Sequence, residues 1–235
     1  MRVLCWNVRG ATDAKWDHVL ELQPDVAVLA EVAQHPRRLQ PSLLEPAPAW
    51  QWVGVNPAKG LAVSAFGARA ATCGVLAPAA TGRWSVAARL GSLTVLGIWS
   101  CPSAGGTYGT EVVRALDAHA RWLDPDAEVI VAGDFNIDGA GALRRRSGAF
   151  NKVIDRFGEL GLTSAYHTVW HEPFGAESSP TYFHHRNRAR PFHIDFCFLS
   201  APLLHRLRAV TVGSYDQWVA SGISDHAPLL IELDR

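Results

Sequence analysis

Short apolar runs recur along the whole chain, punctuated by Gly, Pro, Asn and Asp, which is the pattern of a strand-rich fold. Residues 2–8 read as a strand and 16–22 as a short helix. Residues 26–32 form a continuous apolar run broken only by Glu31, as expected for a strand buried on both faces. Residues 61–66 and 84–90 are further strands, and 93–99 follows 84–90 across a tight Gly91-Ser92 turn, a hairpin signal. The clearest helix covers 110–123, with Val113, Leu116, Ala120 and Leu123 as its apolar positions and Thr107 as a cap. An apolar strand over 128–132 runs into Gly133-Asp134-Phe135-Asn136. A second helix spans 150–160 and stops at Gly161. Strands return at 181–183, 193–199, 209–212 and 229–233.

Strands outnumber helices, and hairpins are mixed with a few crossovers, so the pattern predicts α+β layering and not a regular βαβ alternation. At 235 residues the chain is long enough for one large core, and a single domain over 1–235 is expected.

Apolar residues make up 48% and charged residues 19%, an ordinary globular balance. The 22 basic and 22 acidic side chains cancel, so any polyanion must be drawn by local patches and not by net charge. No run approaches the ~20 apolar residues that span a bilayer. Residues 1–7 lack the order of a signal peptide. Cys5, Cys73, Cys101 and Cys197 form no CxxC pair and read as reduced thiols. A monomer in a reducing cytoplasm is the expectation.

Polar residues stand directly after apolar runs at Asn7, Glu31, Asp134, Asn136, Asp195, Asp225 and His226. Singly, each has an ordinary explanation as a turn residue, a solvated strand end or half of a salt bridge. Taken together they form a chemical set. A hard cation such as Mg²⁺ takes carboxylate and amide oxygens, which Glu31, Asp225 and Asn7 supply. Hydrolysis of a phosphate ester needs a group to orient or deprotonate water, for which Asp134 is suited. It also needs donors for the charge building on the phosphorus oxygens, for which Asn136 and His226 are suited. His226 in turn calls for a carboxylate to set its tautomer, and Asp195 offers one.

The ordered set Trp6-Asn7, Glu31, Gly60-Leu61-Ala62-Val63-Ser64, Gly133-Asp134-Phe135-Asn136, Ile194-Asp195-Phe196 and Ser224-Asp225-His226-Ala227-Pro228-Leu229 resembles the endonuclease/exonuclease/phosphatase superfamily. The resemblance implies a four-layered α/β/β/α sandwich of two mixed sheets, with the site at one edge. It implies Mg²⁺ or Mn²⁺ as cofactor, with Glu31 the main ligand and Asn7 and Asp225 nearby. It also implies Asp134 as water activator, Asn136 as phosphate-positioning amide and His226 as phosphate-binding histidine partnered by Asp195. The segments Ser164-Ala165-Tyr166-His167 and Pro180-Thr181-Tyr182-Phe183 resemble compact bacterial members. One departure stands out: many relatives carry a phosphate-contacting His, Asn or Tyr where this chain has Ile98-Trp99-Ser100-Cys101, so either Ser100 or Tyr108 substitutes or the site is built differently.

Two arginine groups, at 144–146 and at Arg186, Arg188 and Arg190, fall beside these motifs. Arginine binds phosphate bidentately, so Arg145 and Arg188, with His193 and Tyr108, are substrate-binding candidates. Nucleic acid is the first-choice substrate, since arginines beside aromatic rings hold a backbone and stack a base. Phosphomonoesters and lipid phosphodiesters are the alternatives, the latter calling for an exposed apolar loop such as Trp50-Gln51-Trp52 or Trp218. A zinc site from His184, His185 and His193 lacks a fourth ligand. A non-catalytic binder predicts lost acids, and none is lost.

Overall fold

The computed structural model describes residues 1–10, 13–34, 48–76, 84–102, 105–140 and 150–234. In chain order the first seven strands are β1 (Arg2–Asn7), β2 (Val26–Val32), β3 (Ala49–Asn56), β4 (Lys59–Ala65), β5 (Cys73–Val75), β6 (Ser85–Leu90) and β7 (Leu93–Trp99). The rest are β8 (Val129–Asp134), β9 (Thr163–Ser164), β10 (Tyr182–Phe183), β11 (Pro191–Phe192), β12 (Asp195–Leu199), β13 (Leu207–Val212) and β14 (Leu229–Leu233). The helices are α1 (Asp13–Glu21), α2 (Tyr108–His119), α3 (Phe150–Glu159), α4 (Ala165–Trp170) and α5 (Ala201–Leu204).

Twelve strands form two six-stranded sheets, ordered β13-β14-β1-β2-β4-β3 and β5-β6-β7-β8-β12-β9. Each sheet has one parallel pair, β1–β2 in the first and β7–β8 in the second, with antiparallel neighbours. Alternation of side chains through β1 explains the layering. Val3 and Cys5 face Val95, Ile130, Ala132 and Cys197 of the second sheet. Leu4 and Trp6 point the other way, to Trp16 and Val19 of α1. The outer face of the second sheet, with Leu96, Val131, Phe196 and Phe198, packs on Val112 and Leu116 of α2 and Val153 and Phe157 of α3. The order of layers is therefore helix, sheet, sheet, helix, an α+β sandwich as expected.

Most expected elements are present within a few residues. The hairpin pairs Leu90 with Leu93 across Gly91, whose φ of +66° is the left-handed conformation glycine allows. The Thr107 hydroxyl caps α2 by accepting from the Thr110 N–H at 3.2 Å.

Two expectations need correction. Helix α2 buries Val112, Ala115, Leu116 and His119 instead of the stripe containing Val113 and Ala120, and the chain tightens into a 3₁₀ turn over Ala120–Trp122. His119 sits on the buried face with its Nδ1–H donating to the Ala115 carbonyl at 2.9 Å, a bond invisible in an apolar pattern. Strand β3 was not anticipated. It lies at a sheet edge and is only half-buried, so it has neither a continuous apolar run nor clean alternation.

Candidate active site

Both parallel pairs end at the same edge of the sandwich. Asn7 closes β1, Glu31 lies at the end of β2 and Asp134 closes β8. Asp195 opens β12 directly across from Asp134. His226 precedes β14, which runs antiparallel to β1. Residues scattered from 7 to 226 thus meet at one place.

Local backbone devices aim them. The pairing of β2 with β4 shifts between Ala30 and Val32, and Glu31 takes a left-handed φ of +56°. Asn136 does the same at +53°. Non-glycine residues in this region store strain, and such strain gathers at functional sites. Gly133, with φ +148°, runs so close to β7 that a Cβ there would stand 1.8 Å from the Ile98 carbonyl oxygen. Only glycine lets Asp134 follow.

The centre is buried. Asp134, Asp195 and His226 are 1%, 0% and 4% exposed, and one ligand-type atom from each lies within 4.8 Å of the others. His226 Nδ1–H donates to Asp195 Oδ2 at 2.8 Å. Asn7 Nδ2 donates to Asp134 Oδ2 at 2.9 Å and to Glu31 Oε1 at 3.4 Å. The Asn136 N–H donates to Asp134 Oδ1 at 3.1 Å. Burial, then the facing Asp195 carboxylate, pushes the Asp134 carboxyl up to about 7, against the opposing pull of His226, Asn7 and Asn136. Burial also opposes charge on His226, but contact with Asp195, with Asp134 and Asp225 beyond, wins and raises it to about 9.

Glu31 and Asp225 sit at the more open side, each beside a cation. Lys59 Nζ is 3.0 Å from Glu31 Oε2, and Arg9 Nε is 3.4 Å from Asp225 Oδ2. Such carboxylate oxygens, already drawing positive groups, suit a hard divalent ion. Asn7 lies beside that set. Its oxygen accepts from the Arg9 N–H at 2.9 Å, and its amide N–H groups meet Asp134 and Glu31. In the tighter Asp134–Asp195–His226 group Asp195 takes the imidazole Nδ1–H, which leaves Nε2 as the free ring nitrogen.

A cavity of about 340 Å³ opens beside this centre, lined by Asn136 and Tyr108, by Tyr182, Phe192 and Ile194, and by the basic His184 and Arg190. The Tyr182 ring lies 4.6 Å from the His226 ring and its hydroxyl pairs with His184 Nδ1 at 2.9 Å, so Tyr182 links the buried centre and the cavity. Tyr108, and not Ser100, stands on the cavity wall. Ser100 is buried and its hydroxyl donates to the Tyr108 carbonyl at 2.7 Å. Trp99 packs on Trp84 in the core.

Two candidates are placed elsewhere. Arg188 pairs with Asp216 and lies over the Tyr215 ring at 4.5 Å, away from the cavity lining. His193 is buried beside Tyr166 and Phe196, its Nδ1–H donating to the Ser179 carbonyl at 2.8 Å. Arg145 lies outside the described residues. The tryptophans considered for a lipid-facing loop are packed: Trp50 on Trp16, Trp52 through Nε1–H to the Val32 carbonyl, and Trp218 on Trp6. Among the described residues no helix is long and apolar enough to cross a membrane.

Sequence reasoning missed several supports. Thr181 Oγ1 accepts the N–H groups of Ile194 and Asp195, both at 3.1 Å. Ser224 Oγ donates to the Asn7 carbonyl and Trp6 Nε1–H to the His226 carbonyl, binding the two ends of the chain together at the site. Lys15 Nζ donates to the carbonyls of Val8 and Arg9. The available signals were the Pro180-Thr181-Tyr182-Phe183 segment and Ser224 beside Asp225, but neither spacing reveals a role.

The sequence profile of the Endonuclease/Exonuclease/phosphatase family matches residues 4–226. The chain belongs to this family. Every activity in that description cleaves a phosphoester bond, and the chain is a phosphoester hydrolase of that kind. No curated protein sequence matches it. Among solved structures, a 3′ phosphatase, NExo, from Neisseria, bound to product DNA hairpin, superposes with a TM-score of 0.78 at 20% identity over 100% of both chains. An AP endonuclease from Archaeoglobus fulgidus gives 0.78 at 14% identity, again over 100% of both chains. The endonuclease domain of TRAS1, a telomere-specific non-LTR retrotransposon, gives 0.65 at 15% identity over 100% of this chain and 98% of that one. At these identities they establish the DNase I-like sandwich that the family member adopts.

Proposed function

We propose that this family member is a divalent-metal-dependent phosphodiesterase acting on nucleic acid by attack of water at phosphorus. The observation that carries the reading is the meeting of Asp134, which closes β8, and His226, which precedes β14, in a single buried group backed by Asp195.

In this reading Asp134 accepts the proton of the attacking water, and its raised pKa places it near the neutral range where a general base works best. Asn7 holds the Asp134 carboxylate in place. Asp195 fixes the Nδ1–H tautomer of His226, so that Nε2 is the atom available to a phosphate oxygen. Asn136 uses one amide hydrogen on the Ser100 carbonyl at 3.2 Å, which sets the direction of its side chain toward the cavity it lines. Glu31 and Asp225 are the residues that would hold the ion, with Asn7 orienting Glu31. Bound there, a Mg²⁺ or Mn²⁺ ion would polarise the phosphoryl oxygen and offset developing negative charge.

The cavity beside Asn136 and Tyr182 supports a nucleic-acid substrate. Its size is at the small end of ligand sites, and its aromatic rings offer stacking to one nucleoside. The relatives in solved structures bear names of nucleic-acid enzymes, which supports the same choice. Removal of a terminal phosphate from DNA is the second reading, favoured by the similarity to a 3′ phosphatase. Packing of Trp50, Trp52 and Trp218 disfavours a lipid substrate.

The deciding experiment is a panel with Mn²⁺: abasic duplex, single strands, a strand ending in 3′-phosphate, bis(p-nitrophenyl) phosphate, sphingomyelin and inositol phosphates. Cleavage of the nucleic acids, abolished by EDTA, is the expected result. Preference for sphingomyelin or inositol phosphates would overturn the proposal.

A further inference from the structure

The hairpin from Tyr182 to Phe192 carries three arginines, and the fold uses them differently. The hairpin closes on itself through β10–β11 pairing and through bonds from His184 N–H to the Arg190 carbonyl and Arg190 N–H to the Asn187 carbonyl. Arg186 and Arg188 fasten it to the neighbouring segment. Arg186 Nη2 donates to the Gly222 carbonyl at 2.9 Å, its own carbonyl accepts from the Tyr215 hydroxyl at 2.7 Å, and Arg188 pairs with Asp216. Arg190 alone of the three lines the cavity. Its guanidinium has no hydrogen bond or ion pair with any described residue, and among the described residues no carboxylate lines the cavity with it.

An arginine fork at the wall of a cavity whose described lining holds no acid is matched to a phosphate, which it binds through paired N–H donors. In the nucleic-acid reading the phosphate undergoing hydrolysis belongs beside Asn136 and the His226–Tyr182 contact. Tyr182, Phe192 and Ile194 line the same cavity and suit the uncharged part of one nucleotide.

We propose that Arg190, with His184 beside it, is a specificity-determining subsite for a second phosphate, one nucleotide away from the phosphate that is cleaved. The inference rests on the nucleic-acid reading above and sharpens it. The enzyme recognises a strand by two consecutive phosphates and treats a lone diester as a poor substrate.

The test compares kcat/KM for a dinucleoside monophosphate with the same dinucleotide carrying an extra phosphate at its 5′ or its 3′ end. Wild type, Arg190→Ala and Arg190→Lys are assayed with Mn²⁺. Wild type should favour one of the two doubly phosphorylated forms by about 10- to 100-fold, the range for a hydrogen bond to a charged group. Arg190→Ala should bring that ratio close to one, and Arg190→Lys should restore part of it. A ratio that survives in Arg190→Ala, or a wild type indifferent to both extra phosphates, would overturn the proposal.

Calorimetry separates this outcome from failure of the nucleic-acid reading itself. Should wild type cleave none of the diesters, the functional reading falls. The subsite is then judged by binding of a nucleoside 3′,5′-bisphosphate against the 5′-monophosphate. Tighter bisphosphate binding that Arg190→Ala removes supports the subsite, and equal binding rejects it.

Discussion

Asp195 Oδ2 lies 2.8 Å from His226 Nδ1, and neither side chain is more than 5% exposed. The contact joins a strand of the second sheet to the segment entering β14 of the first, so it spans the interface between sheets. Two carboxylates directly opposed across a ladder, as Asp134 and Asp195 are, repel each other. A protonated His226 between them relieves that repulsion, which is why its pKa rises despite burial.

Asp195→Asn should therefore lower kcat by about 100-fold, the upper range for losing a partner that orients an imidazole. The His226 imidazole should also titrate at lower pH in this variant, seen by NMR of its ring protons. An unchanged titration would contradict the assigned role, whatever happens to the rate.

Replacing Asp134 by Asn keeps its volume and removes the base. We expect kcat to fall by roughly 100- to 10,000-fold, the contribution of general base catalysis. Circular dichroism and thermal unfolding should show an intact fold. Turnover within a few-fold of wild type would show that another group handles the water.

Glu31→Gln removes the charge that now draws Lys59. The Mn²⁺ concentration for half-maximal rate should rise at least about 10-fold, since carboxylate charge holds hard cations. Titration of activity with Mn²⁺ after EDTA treatment measures it, and an unshifted curve would place the ion elsewhere.

Gly133→Ala tests the backbone device behind Asp134. A Cβ 1.8 Å from the Ile98 carbonyl oxygen forces β7 and β8 apart, in a conformation that alanine also resists. Destabilisation of about 3 kcal/mol or more in urea unfolding is expected, in the range reserved for strained or overpacked buried positions.

Away from the site, Glu172 accepts from the Ser178 N–H at 2.9 Å and the Tyr166 hydroxyl at 2.7 Å. The bonds from Ser178, then from Tyr166, hold its carboxyl down at about 2. A carboxyl lowered by folding stabilises the native state above its unfolded pKa of 4.5, and that stabilisation disappears as pH falls from there toward 2. Glu172→Gln should flatten this part of the stability-versus-pH curve, measured by chemical unfolding at a series of pH values.

The strand pattern, the hairpin at Gly91, the cap at Thr107 and the ordered polar residues after apolar runs were all legible in the chain. These depend on local alternation and short-range turn chemistry, which are written residue by residue. The chemical types at Glu31, Asp134, Asp195 and His226 were legible for the same reason, because an acid ending or interrupting an apolar strand needs an explanation.

Only tertiary structure decided which of these groups touch. Asn7 donates to Asp134 and Glu31 while its oxygen accepts from the Arg9 N–H, a set of partners that no spacing in the chain reveals. The arginines of one hairpin look equivalent in sequence, yet Arg188 is bound to Asp216 while Arg190 meets the cavity. Half-buried β3 and the His119 face of α2 were hidden as well. Their burial is set by the elements packed against them, and that packing leaves no periodicity in the chain that receives it.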